Sequence, residues 1–147
     1  MLQCTAVTNT PITEAVIALT TLEGGSVHPE DVLLEEFVLC ELPEHDETAE
    51  HASQLYVGET REDQDLWLFW TGTDAHRIYR LEVLAMCPAR LHERHTGLTR
   101  RCVFFYNHRP RDHSFFVTDP LRQALAEEIR AGLRDHAEDR TNDTDDI

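Results

Sequence analysis

Residues 65–86 read DLWLFWTGTDAHRIYRLEVLAM, and their period decides the fold. Short segments rich in aromatic and branched side chains stand on both sides of Gly72-Thr73-Asp74, the signature of two strands facing each other across a turn. Three turn residues are too few for a crossover, so 65–71 and 76–86 form an antiparallel hairpin. The same period continues outward in 54–59 (QLYVGE), 100–107 (RRCVFFYN) and 113–118 (HSFFVT). Arg109-Pro110-Arg111-Asp112 reads as a second hairpin turn between the last two.

The flanks change period. Thr10-Pro11 opens a helix as cap and first helical residue, and Ile12, Ala15, Val16, Leu19 and Leu22 recur at helical spacing until Gly24-Gly25. This predicts a helix over 11–22, then a helical turn at 29–34, a strand at about 36–42 and an exposed acidic loop or loose helix at 44–53. At the other end Asp119 caps a helix whose stripe is Leu121, Leu125, Ile129 and Leu133. The expected fold class is therefore α+β: an antiparallel β-meander of five to six strands, with an N-terminal helix and a C-terminal amphipathic helix packed on the sheet. In element order alone this is similar to pleckstrin-homology-like domains. One compact domain is expected over 1–137, and the acidic stretch 138–147 reads as a disordered tail. No internal repeat is visible. A winged-helix parse is disfavoured because its recognition helix would fall on DETAEHASQLYV, which contains no Arg.

All thirteen basic residues are Arg, with no Lys, against twenty-eight Asp plus Glu and fifteen Thr. Carboxylates and guanidinium groups suit strong brine, so the composition reads as that of a halophilic microbe or its virus. The net charge of −15 is unevenly placed: residues 1–60 hold twelve carboxylates and no Arg, whereas 61–134 hold twelve Arg and ten carboxylates. Such a dipole suits a complementary protein partner, or a second copy head to tail. No stretch is apolar enough to span a membrane, and the N-terminus lacks a signal-peptide pattern. The expected location is cytoplasmic, or virion if the chain is viral.

Two stretches could carry chemistry. Cys87, His92, His95 and Cys102 offer two thiolates and two imidazoles within CPARLHERHTGLTRRC, the donor set of tetrahedral Zn²⁺, although the spacing is irregular and ordinary buried thiols are the simpler reading. No cofactor is expected, with zinc as the alternative. The other stretch, RRCVFFYNHRPRDHSFF, interleaves Arg with aromatic residues, and Arg100, Arg101, His108, Arg109 and Arg111 are its partner-binding candidates. There is no phosphate loop, nucleophile elbow or nominated acid pair. The expectation is a non-catalytic interaction or assembly protein, such as a complex or virion subunit. The alternatives are a nucleic-acid-associated protein using the Arg/aromatic hairpin and an acidic DNA mimic.

Overall fold

A computed structural model describes residues 1–61, 63–119, 121, 124, 125 and 128–132. Among the described residues it is an α+β protein with seven strands in three antiparallel sheets. The predicted hairpin is its centre: β4 (Asp65–Thr71) pairs with β5 (Ile78–Leu84) in register Trp67↔Glu82 and Phe69↔Arg80, with Gly72 in the turn. β3 (His51–Tyr56) covers the other edge of β4. As the middle strand β4 is buried from Asp65 to Trp70, which explains its apolar run.

The meander stops at those three strands. β1 (Val7–Asn9) pairs with β2 (Phe37–Leu39), and β6 (Arg90–His92) pairs with β7 (Thr99–Arg101), each as a separate two-stranded hairpin. The strand expected at 100–107 ends at Arg101, and 113–118 is a short 3-10 turn at Ser114–Phe116 instead of a strand. Aromatic alternation misled there because Phe104 and Phe105 face the core from a knuckle: Phe105 sits edge-on to Trp67 and Phe69 with centroids 5.1 and 4.9 Å away.

The first helix, α1, spans Ile12–Leu19, shorter than expected, with Pro11 rather than Thr10 at the cap. Leu19, Leu22 and Val27 pack on Leu66 as a small cluster. A larger cluster joins Trp67, Leu68, Phe69 and Trp70 to Cys40, Cys87, Cys102 and Phe104. Three of the four cysteines are thus core residues.

The chain divides into two compact units, one of Met1 and Gln3–Val117, the other of Leu2 and 118–147. In the second unit Asp119 Oδ1 accepts the Leu121 N–H at 2.9 Å, as a capping residue does, and residues 121, 124, 125 and 128–132 are helical. The acidic stretch 138–147 lies outside the described residues. No helix among the described residues is long and apolar enough to cross a membrane.

Candidate metal centres

Each two-stranded hairpin carries a pair of cysteines at its open end. Cys4 precedes β1 and Cys40 follows β2; Cys87 precedes β6 and Cys102 follows β7. Antiparallel pairing forces each pair together. The chain leaving the second cysteine then forms a knuckle with two histidines: His45 and His51 in the first case, His108 and His113 in the second. In each set of four the ligand atoms all lie within 4.8 Å of one another. Two Cys2His2 clusters that could bind a metal ion result.

The distances are compatible with zinc. With Zn–S near 2.3 Å and Zn–N near 2.0 Å, a tetrahedron has S···N edges of about 3.5 Å and N···N edges of about 3.3 Å. In the first cluster Cys4 Sγ is 3.5 Å from His51 Nδ1, and Cys40 Sγ is 3.5 Å from His45 Nε2. In the second, Cys87 Sγ is 3.6 Å from His113 Nδ1, Cys102 Sγ is 3.5 Å from His108 Nε2, and the two ring nitrogens are 3.3 Å apart.

Ring tautomers are fixed from outside the clusters. A carbonyl can only accept, so His45 Nδ1–H donates to Asp46 O and His108 Nδ1–H donates to Pro110 O, both at 2.8 Å. Each Nε2 is left with its lone pair toward the sulfurs, the arrangement that metal-ligating histidines share. His51 turns its Nε2 toward the Glu47 carboxylate at 3.6 Å, leaving Nδ1 inward.

The protonation of the thiols reflects burial and these partners. Burial pushes Cys40 up to about 12, against the N–H groups of Ala52 and Leu42 and with Cys4 beside it. Burial also opposes the Cys102 thiolate, but His108, the N–H groups of Ser114 and Phe104, and His113 outweigh it and bring the thiol to about 6. Burial and the adjacent Cys102 raise Cys87. A divalent cation held among the four donors of either set would supply the positive charge that favours the thiolate form of its two cysteines.

The two clusters are copies of one another. Cys4 N–H donates to Leu42 O and Cys40 N–H to Ala6 O, both at 2.8 Å; Cys87 N–H donates to Phe104 O at 2.8 Å and Cys102 N–H to Ala89 O at 3.0 Å. In both, the hydrogen bonds link each cysteine to the residue two places beyond its partner. The bridge Gln3↔Pro43 matches Met86↔Phe105, and the ladder pair Val7↔Leu39 matches Arg90↔Arg101. At the closed end Thr10 N–H donates to Glu36 O and Glu93 N–H to Leu98 O, both at 2.8 Å. Cys40 and His51 are eleven residues apart, as are Cys102 and His113.

Of the residues expected to hold zinc, the structure brings Cys87 and Cys102 together but completes the set with His108 and His113. His92 and His95 are exposed toward the closed end of the β6–β7 hairpin, where His92 Nδ1 meets Thr99 Oγ1 at 3.2 Å. At about 3.3 Å per strand residue, five residues carry His92 roughly 16 Å from Cys87. His108, expected at a partner surface, is instead 4% exposed. Arg100, Arg101, Arg109 and Arg111 are exposed, and Arg100 reaches Glu93 at 3.4 Å. The first cluster was not anticipated at all. Its signal was the shared Cys-to-His interval of eleven, legible only once the second cluster is known.

No protein-family model, curated protein or solved structure matches the chain.

Proposed function

We propose that this is a non-catalytic interaction protein whose two knuckles are each organised by one structural Zn²⁺. The observation that carries the reading is the completeness of each ligand set. Two sulfurs and two ring nitrogens fill a tetrahedron, whereas a catalytic zinc keeps one position for water or substrate. Burial of Cys40, Cys87 and Cys102 in the main hydrophobic cluster points the same way, because a metal tied to core residues would contribute folding energy. Interaction or assembly then falls to the surfaces that the knuckles hold rigid.

Elemental analysis of the purified chain tests the metal, with two zinc ions per molecule expected. Cobalt substitution tests the closed sphere: a tetrahedral S2N2 spectrum that does not change with azide or cyanide is expected. Absence of stoichiometric metal would overturn the zinc reading, and a spectrum that shifts with added anion would overturn the non-catalytic one.

A further inference from the structure

Two copies of one module in one chain provide an internal control: where their equivalent positions differ, the difference is not required by the metal. The largest chemical difference lies between the two histidines. In the first knuckle that loop is Asp46-Glu47-Thr48-Ala49-Glu50, with three carboxylates; in the second it is Arg109-Pro110-Arg111-Asp112, with two guanidinium groups. The reversal extends beyond the loop. Residues 86–113 hold six Arg against Glu93 and Asp112, whereas residues 3–52 hold eleven carboxylates and no Arg.

The second knuckle also shapes a groove. A cavity of about 750 Å³ opens against it, walled by the candidate ligands Cys87, His108 and His113 and, on its outer side, by Tyr106, Asn107, Arg109 and Arg111. Tyr106 is 57% exposed although its backbone is fixed by a 2.9 Å hydrogen bond from its N–H to Ala85 O. Among the described residues neither Arg109 nor Arg111 is paired with a carboxylate. A second groove, of about 640 Å³, shares Tyr106, Asn107 and Arg109. Its carboxylates Glu50 and Glu82 are already held by Arg80, at 2.8 and 2.9 Å. Beyond Ala89, Arg90 stands opposite Arg101 in the β6–β7 ladder and extends the basic strip.

We propose that the groove of the second knuckle binds a single-stranded nucleic acid, with Tyr106 stacking on a base and Arg109 and Arg111 holding its phosphates. The proposal rests on the non-catalytic reading above. An exposed ring sharing one groove with two guanidinium groups that no carboxylate pairs among the described residues meets both demands of a single strand, a π-face and a charged backbone. A base stacked within a duplex offers no free face to Tyr106, which is why a single strand fits and a double helix does not. A carboxylate-rich protein surface would use the two Arg but leave Tyr106 without a role.

The test is fluorescence anisotropy of the full-length, zinc-loaded chain with a labelled oligothymidine of about ten nucleotides. Affinity should fall as salt rises. Arg109→Glu with Arg111→Glu should weaken binding at least tenfold, and the milder Arg109→Gln with Arg111→Gln should lower the log–log salt slope by about 1.4, two phosphate contacts on a single strand. Tyr106→Ala should weaken binding with an unchanged slope. Zinc content, measured on the same samples, should remain at the wild-type value in every variant. Absence of wild-type binding, or binding unaffected by these substitutions, overturns the proposal while two bound zinc ions leave the metal reading intact. Sedimentation that shows self-association abolished by the Arg substitutions, without oligonucleotide binding, overturns it in favour of a second copy of this chain.

Discussion

Cys40 and Cys102 occupy the same position in two copies of one hairpin: each donates its backbone N–H to the alanine two residues beyond the first cysteine of its pair, Ala6 or Ala89. Each also receives an N–H from the residue twelve places on, Ala52 or Ser114, so the backbone around the two thiols matches, although burial raises Cys40 while His108 and its neighbours lower Cys102. Equivalent backbone around equivalent donors means that, if a metal is held at one cluster, the same kind of ion is expected at the other.

Removal of one centre should therefore leave the other. Cys40→Ser and Cys102→Ser are each expected to lower zinc from two ions to one per chain. Each should also lower Tm by roughly 10 °C or more, since the metal's binding energy is coupled to folding. His92→Ala and His95→Ala should change neither quantity. Elemental analysis with differential scanning calorimetry checks all four.

Glu23 predicts a pH effect away from the metals. It follows α1 at φ +50°, and its carboxylate accepts from Thr60 N–H at 2.6 Å, Tyr56 O–H at 2.8 Å and Arg61 N–H at 3.1 Å. The Thr60 N–H first, then the Tyr56 hydroxyl, hold it down at about 2. A carboxyl depressed on folding contributes stability that is complete above its unfolded value near 4.3 and is lost as pH falls toward 2. Glu23→Gln should destabilise at neutral pH and narrow the gap from wild type between about pH 5 and 2. Acid release of metal is common to both proteins, so urea titrations compared at each pH isolate the difference.

Gly72 makes the β4–β5 turn possible. It sits at φ +74°, and a Cβ there would lie 2.6 Å from His76 O. Gly72→Ala is expected to destabilise by roughly 1 to 3 kcal/mol, from left-handed strain plus that clash, whereas Gly97→Ala, with open space around it, should be milder. Chemical denaturation of both variants gives the comparison.

Salt should stabilise the chain. Twelve carboxylates in the first sixty residues repel one another with no Arg among them. Raising salt from 0.01 to 1 M shortens the reach of that repulsion from about 30 to about 3 Å. Tm is expected to rise with NaCl over this range, and a flat or falling Tm would remove the argument from brine.

Much of the central sheet was legible because its signals are local. The run from Asp65 to Leu84 is rich in aromatic and branched residues on both sides of a turn at Gly72, and the structure follows it. The metal clusters depend on distant pairings instead: Cys4 and Cys40 are 36 residues apart and meet only because β1 and β2 align. His92 and His95 were attractive because they are near Cys87 in sequence, yet a hairpin carries such neighbours away from its open end. The repeat stayed hidden because the two copies match in backbone register while differing in almost every side chain except the ligands and the alanines Ala6 and Ala89.

The closed ends of the hairpins also differ, and in length. Between the matched bonds at Thr10–Glu36 and Glu93–Leu98 the first copy spans 27 residues, including α1, and the second spans six. Closing the longer span costs only about 1.3 kcal/mol more by loop-entropy scaling, and both spans return to the same ladder. The tip is therefore a port for added polypeptide: a foreign segment of comparable length grafted between Glu93 and Leu98 should be displayed without moving Cys87, Cys102, His108 or His113, which makes the closed end of the hairpin a natural insertion site.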